Sequence, residues 1–433
     1  MFWYKITLSM VMAAVIAIWG AGITTAKDVD WGKVPAKEVS LFYPGVTGWE
    51  WQINDETHKD GAKGVRQGET CYSCHKGSEK EIGNKIVKGG PNEPAPISGK
   101  DGYKALKVQA AYDVENIYVR FQWAAKEDGR FHQSFVYDGE KWIQGGPRSN
   151  KDVREGKKPA IYENRVAMMI DDGKTAGFEK YGCFIICHES MRDMPKEAKK
   201  DEVKAHPYFG DANKKKDDIR KYIPQTRVKG GTWKDVKSAD ELKALQASGT
   251  FLDLWQWRPH RSNPVGLADD SNVLDWRWFD EGKIFSKQEV KDGMPALMFD
   301  KSKTGYYAYK FDDRLKVKDY YLTTANSIPY DASKYKPAKG DSIPGWFLQA
   351  EPKGSQTDVK AEGGWKDGMY TVVLKRKLNT GNADDKVFEP GKKYTVGFAV
   401  HDDAVTTRFH HISFEKTLGF DDPKADINVM KIK

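Results

Sequence analysis

Two cysteines and a histidine form the pattern with the most specific chemistry in this sequence, Cys71-x-x-Cys74-His75. Two thiols three residues apart lie on one helical turn, so both can bond to the vinyl groups of a single porphyrin. The adjacent imidazole then reaches the iron as its proximal ligand. The pattern therefore predicts a covalently attached c-type haem. A chance match or a structural disulfide is the alternative.

A haem iron held on one side by His75 needs a second axial ligand from elsewhere in the chain. Our candidate is His58, which lies in the polar stretch 55–61 and can fold back over the ring. An exposed histidine of a surface loop is the alternative. No methionine occurs between Met12 and Met168, so the surrounding segment offers no thioether ligand of its own.

A second cysteine pair, Cys183-x-x-x-Cys187-His188, has one more residue between its thiols. It can bind a haem covalently with His188 as proximal ligand, or form a disulfide in an oxidising compartment. A b-type haem beside such a disulfide is a third reading. Met191 and Met194 follow closely and are candidate soft axial ligands. Each of them is equally well explained as a buried packing residue.

A last candidate ligand, His410, lies in residues 408–414, which we predict to be a strand. Strand alternation places His410 with Ile412 and Phe414 on the more apolar face. A histidine there can reach a haem packed against the sheets, whereas a satisfied core histidine is the alternative. The sequence thus predicts a second haem, b-type or c-type, near the second cysteine pair.

The cysteine count and the charge pattern limit the remaining classes of function. All four cysteines belong to the two pairs, and none remain for an iron–sulfur cluster, which needs four ligands. The net charge is +8, but lysine-rich stretches carry their own acids, which argues against nucleic-acid binding. The basic excess can still attract an acidic redox partner. The sequence shows no cluster of acid–base residues that would suggest a catalytic role for the chain by itself.

The N-terminus reads as an export signal over residues 1–26. Lys5 supplies the positive charge, residues 6–23 are mostly apolar, and small residues at 24–26 suit cleavage. The apolar run is long, so an uncleaved anchor is the alternative and would be the only membrane attachment. In either case we expect the rest of the chain in the periplasm or elsewhere outside the cytoplasm.

The elements that must position these groups are mainly strands. Residues 27–100 are predicted to be a small irregular cytochrome c segment. From 101 to 433, alternating apolar residues predict a hairpin over 106–123 and further strands at 165–170, 251–257, 370–378 and 394–400. This pattern indicates an antiparallel β-sandwich. It is interrupted at about 178–249 by a partly helical insertion, in which Ser238 and Glu241 form a capping box.

From about residue 41 to residue 414 the chain resembles haem-binding proteins related to the γ subunit of ethylbenzene dehydrogenase. The resemblance rests on the cysteine–histidine patterns and on short aromatic motifs, at 42–45, 58–75, 117–123, 182–188, 254–258, 398–402 and 410–413. The N-terminal c-type haem pattern and the long insertion look most like the γ subunits of nitrite oxidoreductases.

The resemblance implies a sandwich of the carbohydrate-module or DOMON type that holds a haem. In that family the sandwich haem is typically b-type, with methionine and lysine ligands. This chain has His410 where the family lysine is expected, and His188, Met191 and Met194 in the region of the methionine. The resemblance also implies two partners, a molybdopterin catalytic subunit and an iron–sulfur subunit.

The expected function is that of a periplasmic dihaem electron-transfer subunit. It would relay single electrons between the iron–sulfur subunit of a molybdoenzyme, similar to nitrite oxidoreductase, and a soluble external cytochrome c. One alternative is a stand-alone periplasmic multihaem cytochrome. Another is a carbohydrate-binding module that carries a c-type haem, with the tryptophan-rich stretches 254–258 and 275–279 as sugar platforms.

Overall fold

A computed structural model describes residues 29–432, which form a mainly antiparallel β fold. The sandwich class predicted from the sequence is confirmed. The predicted export signal at 1–26 lies outside the described residues. Among residues 29–432, no helix combines the length and the apolar character needed to cross a bilayer.

The helices of the described chain are short, and the third of them is the Cys71 motif itself. They are α1 Trp49–Gln52, α2 Asp55–Gln67, α3 Cys71–His75, α4 Glu79–Ile86, α5 Lys151–Arg154, α6 Phe178–Tyr181, α7 Lys200–Ala205, α8 Ala239–Ala247 and α9 Lys301–Thr304. Single 3-10 turns lie at Gly182–Ile186, Pro224–Thr226, Asn263–Val265, Phe311–Lys316 and Ser355–Thr357. The capping box predicted before α8 is present, with the Ser238 and Glu241 side chains each bonded to the other's backbone nitrogen.

The strands account for most of the regular structure, and they fall into two groups along the chain. The first group is β1 Lys37–Phe42, β2 Tyr103–Tyr112, β3 Asn116–Ala124, β4 Phe135–Tyr137, β5 Trp142–Gln144, β6 Arg165–Asp171, β7 Leu252–Trp257, β8 Asp269–Val273, β9 Arg277–Phe279, β10 Phe285–Lys287, β11 Val290–Lys291 and β12 Met294–Pro295. The second is β13 Leu297–Phe299, β14 Tyr309–Lys310, β15 Leu322–Thr323, β16 Ser327–Pro329, β17 Asp341–Ile343, β18 Trp346–Leu348, β19 Lys360–Lys366, β20 Met369–Lys377, β21 Lys393–His401, β22 His411–Ile412, β23 Lys416–Phe420 and β24 Ile427–Lys431.

One large sheet carries the fold, in the order β19-β20-β3-β2-β1-β22-β21-β6-β7-β8-β9. Two further strands extend it, since β23 pairs with β21 and β24 pairs with both β23 and β2. The predicted hairpin is β2 and β3, in which Ala110 pairs with Val119. Its second face is covered as well, because Tyr118 and Ala111 pack under residues 29–34.

The sheet curls over itself, which creates the two layers of the sandwich. Trp257 of β7 packs edge-on against Trp123 of β3 and Tyr370 of β20, with ring centroids 6.2 and 5.7 Å apart. These strands are distant in the sheet order, so the contacts cross the core. A single bridge between Leu267 and Lys360 also brings the region before β8 to β19. The core is therefore enclosed between the two ends of one sheet.

The N-terminal segment differs from the irregular coil that we expected. It contains α1 to α4, and β1 inserts into the sheet between β2 and β22. Helix α4 lies so close to the start of β2 that a methyl group at Gly83 would come within 1.9 Å of the Gly102 carbonyl oxygen. The sequence prediction missed these helices because α1 and α3 are only four and five residues long, and α2 contains two glycines and a non-helical residue, Lys59.

The predicted strand at 408–414 is another difference, since only His411 and Ile412 form a strand there. Thr407 has φ 52°, which turns the chain just before this segment. Arg408 then turns inward to a buried ion pair with Glu93. The alternation argument for His410 therefore does not apply, because His410 precedes the strand rather than lying within it.

A separate apolar cluster, centred on Phe131, Phe299 and Ile343, lies beside the large sheet. It is built on four small sheets formed by β4, β5 and β10 to β18. Sequence patterns did not reveal this unit, because its strands are two or three residues long and show no alternation.

Candidate haem site

The Cys71 motif is a helical turn whose ends are fixed by its flanking residues. Gly68 ends α2 in a left-handed conformation, φ 88°, which a residue without a side chain adopts without strain. Thr70 then begins α3, and its hydroxyl accepts a hydrogen bond from the Ser73 backbone nitrogen at 3.0 Å. The two thiols, at positions 71 and 74, and the imidazole at position 75 thereby lie on one side of the turn.

Cys71, Cys74 and His75 all line one cavity, and His58 lines it as well. The cavity holds about 750 Å³ of empty space, part of it open to solvent. Much of its wall is apolar, formed by Phe42, Trp51, Val65, Ile82, Ile86, Phe184 and Phe414. The thiol pair therefore borders a space suited to a large flat apolar group.

His58 is oriented by the backbone of α1. Its Nδ1 atom is 3.0 Å from the Gln52 carbonyl oxygen, so Nδ1 carries the proton and donates it to that oxygen. This contact leaves Nε2 as the atom with a free lone pair, as in metal-binding histidines whose second nitrogen is held by the protein. Lys59, with φ 42°, kinks α2 directly after His58.

The rings of His58 and His75 lie 6.1 Å apart between centroids, with their planes inclined by 21°. This is too far for ring stacking in contact; for comparison, the rings of His188 and Tyr222 stack at 3.7 Å. When two imidazoles bind one metal ion from opposite sides, two metal–nitrogen bonds of about 2 Å each and the two ring radii add up to roughly 6 Å between the ring centroids. The spacing of the pair thus fits axial ligation of one iron by both histidines.

The electrostatics of this site favour neutral groups. Burial lowers the pKa of His75, the nearby His58 lowers it further, and Glu79 opposes both. The neutral imidazole is the form that binds a metal. Burial, with a contribution from the Glu415 carboxylate, raises the pKa of the Cys71 thiol well above its usual range. Cys71 is buried and Cys74 is exposed, so the cavity reaches the surface beside Cys74.

Two aromatic residues from distant parts of the chain complete the cavity. Phe414, which follows β22, lies nearly parallel to the His75 ring at 5.9 Å, and it contacts Phe42 at 4.6 Å. Phe184 comes from the second cysteine motif. Sequence reasoning missed both as wall residues. The only available signal was the position of Phe184 inside a motif already assigned to haem.

The second cysteine pair is fixed by packing on both sides. Neither thiol forms a disulfide in the structure. Cys183 packs against β21, where a methyl group at Gly397 would lie 2.7 Å from its sulfur. The Cys187 carbonyl oxygen accepts a hydrogen bond from the Trp49 nitrogen at 2.6 Å. The pair therefore joins α1 of the first haem segment to the sandwich.

His188 is held by hydrogen bonds at both ring nitrogens. Nδ1 lies 2.8 Å from Glu50 Oε1, and Nε2 lies 3.1 Å from the Tyr222 carbonyl oxygen. The Met191 sulfur accepts a hydrogen bond from the His188 backbone nitrogen at 3.2 Å. Met194 packs in the same apolar cluster as Met191. In this arrangement both nitrogens of His188 form hydrogen bonds, and the two methionines lie in one apolar cluster.

His410 is buried beside a histidine that sequence reasoning did not single out as a ligand. The rings of His410 and His401 stack at 4.6 Å with planes 19° apart. His410 Nδ1 bonds to the Thr407 carbonyl oxygen, whereas His401 Nδ1 has no hydrogen-bond partner. Burial lowers the pKa of both histidines.

Half-buried Lys221 connects this histidine pair to the second cysteine pair. Its charge lowers the pKa of His401 and His410, and it partly offsets the increase that burial causes in Cys183 and Cys187. The roles of His188, Met191, Met194 and His410 as ligands of a second haem stay predictions.

Three of the four tryptophans considered as sugar platforms are buried, and Trp278 is half-buried. Trp255 and Trp257 are fully buried in the main core. Trp276 is also buried, and the Lys216 ammonium group lies over both its ring and that of Trp278, at 4.0 and 4.4 Å. A sugar-binding platform needs an exposed ring face, so the tryptophans of stretch 254–258 offer none.

Comparison with known proteins agrees with this description of the site. The chain is 27% identical to cytochrome c-552 of Stutzerimonas stutzeri over 430 residues, covering 99% of each protein. It is also 30% identical to cytochrome c-551 of Rhodocyclus tenuis over 167 residues, which are 38% of this chain and 58% of that protein. The family model described as ethylbenzene dehydrogenase matches residues 28–413, so the chain belongs to the ethylbenzene dehydrogenase family.

Proposed function

We propose that this protein is an electron-transfer protein with a c-type haem bonded to Cys71 and Cys74. His75 and His58 would be the two axial ligands. The observation that carries the proposal is the convergence of these four side chains on one cavity, with the two imidazole rings 6.1 Å apart. The names of the two similar proteins, both cytochromes c, support the same conclusion.

The chain's own residues would position and insulate the haem, and a bound haem supplies a one-electron iron couple. Gln52 holds the His58 ring with Nε2 free, while the ring of Phe414 lies nearly parallel to that of His75. The apolar walls keep water from much of the cavity. Ser73 and Cys74 are exposed, so the surface over α3 is where electrons would enter or leave.

We extend the proposal to a second haem and to partners. The second haem, b-type or c-type, would lie near Cys183, Cys187 and His410, with Lys221 at its edge. The partners would be the iron–sulfur and molybdopterin subunits of an enzyme similar to nitrite oxidoreductase, with a soluble cytochrome c as the external partner. Membership of the ethylbenzene dehydrogenase family supports this context. The complex would lie outside the cytoplasm.

Electron exchange with a soluble cytochrome c tests the relay. The purified protein is reduced with dithionite, freed of excess reductant, and mixed with oxidised cytochrome c in a stopped-flow spectrometer. We expect the absorption band of the reduced haem to disappear within milliseconds to seconds as the haem is oxidised. The reaction should be slower at high salt if opposite charges guide the encounter. Ferricyanide serves as the control oxidant. A haem that ferricyanide oxidises but cytochrome c does not would contradict the proposed relay to cytochrome c.

A further inference from the structure

Five aspartates meet at the edge of the large sheet, away from the cysteine motifs. Asp253 lies on β7 and Asp270 on β8, while Asp280 follows β9 directly. Asp384 and Asp385 lie in the connection from β20 to β21. Carboxylate oxygens of Asp253, Asp270 and Asp385 come within 4.8 Å of one another, and so do those of Asp280, Asp384 and Asp385. The two triads share Asp385.

Several of these oxygens are buried without a hydrogen-bond partner. Asp253 and Asp270 are fully buried, and Asp280 is 5% exposed. Each has one bonded oxygen and one without any hydrogen bond, namely Oδ1 of Asp253, Oδ2 of Asp270 and Oδ2 of Asp280. A buried carboxylate oxygen left without a partner costs free energy. Three of them in one cluster indicate a missing electropositive partner.

The cations of the chain do not balance this cluster. Arg376 of β20 donates through Nη1 to Asp253 at 2.6 Å and to Asp385 at 3.1 Å, but its distance to Asp270 Oδ2 is 4.0 Å. The Lys386 ammonium group is turned away to Asp172.

We propose that these aspartates bind a hard divalent cation, Ca²⁺ in preference to Mg²⁺. All the available ligand atoms are oxygens, which suits both ions, whereas a softer metal would require sulfur or imidazole. Ca²⁺ accepts six to eight oxygens in a flexible arrangement, and crowded, water-poor carboxylates provide that. Mg²⁺ keeps several waters and needs near-octahedral geometry, which a cluster with three fully or nearly buried members accommodates poorly.

The proposed ion would fasten the β20–β21 connection to the sheet edge. Its ligands come from β7, β8, the residue after β9 and the connection itself, so one ion would join segments more than 100 residues apart. The connection leads into β21, which carries Gly397 and His401. Binding would therefore stabilise the folded chain without touching the cavity of the first haem, because binding to the native state alone raises its stability.

Calcium binding to the intact haem-loaded protein tests the proposal. The protein is treated with EGTA, which does not remove thioether-bound haem, and dialysed against ⁴⁵Ca²⁺. Melting is then followed in EGTA, in Ca²⁺ and in Mg²⁺ at equal ionic strength. We expect at least one Ca²⁺ per chain, a melting temperature several degrees higher in Ca²⁺ than in EGTA, and a smaller increase in Mg²⁺. Absence of bound ⁴⁵Ca²⁺ in the wild-type protein would overturn the proposal.

The double variant Asp270→Asn/Asp280→Asn locates the site. It removes two negative charges but keeps the side-chain shape, and we expect it to lose both ⁴⁵Ca²⁺ binding and the calcium-dependent shift in melting. The matched control Asp312→Asn/Asp313→Asn removes two exposed carboxylates far from the cluster in sequence and should behave as wild type. Retained calcium binding in the Asp270/Asp280 variant would overturn the assignment. If that variant fails to fold, the measurement on the wild-type protein still decides whether the chain binds calcium.

Discussion

His58 is held in place by two neighbours with different roles. The Gln52 carbonyl oxygen fixes the tautomer, and the absence of a side chain at Gly61 leaves room for the ring. A methyl group at Gly61 would lie 2.5 Å from His58 Nε2, the atom proposed to bind iron. The position of this ligand is therefore set by a residue that carries no functional group.

The substitution Gly61→Ala tests this arrangement. Alanine favours the helix by about 1 kcal/mol over glycine, so the helix itself should not suffer. The new methyl group should displace His58 and change the axial field of the first haem, seen in its visible and EPR spectra. Gly64→Ala is the control, since its methyl group would meet the flexible Glu69 carboxylate. Wild-type spectra in Gly61→Ala would contradict the placement of His58.

The substitution His58→Met tests the ligand itself. Methionine with histidine raises the reduction potential of a c-type haem relative to two histidines, because thioether sulfur stabilises the reduced iron. We therefore expect a higher potential for the first haem in a spectroelectrochemical titration. His206→Met provides a control histidine outside the cavity, whose Nε2 bonds to the Lys234 carbonyl oxygen. An unchanged potential in His58→Met would remove His58 from the ligand pair.

At the residue scale the sequence was informative where chemistry depends on local spacing. Cys71, Cys74 and His75 were found because all three lie on one turn. His188 shows the opposite case, because its role depends on Glu50 and Tyr222, which lie 138 and 34 residues away. The aspartate cluster was missed for the same reason. Its one local signal was Asp253, a charged residue between Leu252 and Leu254 in an aromatic-rich strand.

One buried ion pair links the N-terminal segment to the turn before β22. Arg408 Nη2 donates to Glu93 Oε1 at 2.9 Å, and the Tyr43 hydroxyl donates to the same carboxylate. Burial alone would raise the pKa of Glu93, but the hydrogen bond and charge of Arg408 outweigh it and lower that pKa. Glu93 therefore stays ionised and ties the chain after α4 to the turn before β22.

We expect Glu93→Gln to lower the free energy of unfolding by about 3 kcal/mol, because it leaves Arg408 buried without its charge partner. The pKa of Glu93 is lower in the folded state, so its stabilisation is present above about pH 4.5 and is lost as the pH falls through the folded value. Denaturant unfolding at pH 7 and at lower pH measures this. The exposed Glu81→Gln is the control. If the difference in free energy of unfolding between wild type and Glu93→Gln stayed constant on acidification, the assignment would be contradicted.

The helix α8 was predicted from its capping box alone, and it provides a test at the element scale. Ser238→Ala removes the hydroxyl that accepts a hydrogen bond from the Glu241 nitrogen. We expect a loss of about 1 kcal/mol in denaturant unfolding, as for other exposed N-caps. Ser98→Ala, at an exposed turn outside any helix, should cost less. Equal effects of the two substitutions would argue against a stabilising role of the box.

Across the whole molecule, the sequence predicted the β-sandwich class but not the way its sheet closes. Strand alternation identified β2, β3, β6, β7, β20 and β21, because each has a buried face. The curling of the sheet depends on contacts such as Trp257 with Tyr370, which no local pattern reveals. The helices of the N-terminal segment were missed for a different reason, since α1 and α3 are only four and five residues long and glycines interrupt α2.

The most direct test of the central claim is the mass of the tryptic peptide that contains Cys71 and Cys74. The full-length protein is expressed with the cytochrome c maturation machinery, denatured, digested and analysed by mass spectrometry. We predict that this peptide is heavier by one haem, and that Cys71→Ala/Cys74→Ala abolishes the addition. A wild-type peptide with two free thiols or a disulfide would contradict the account.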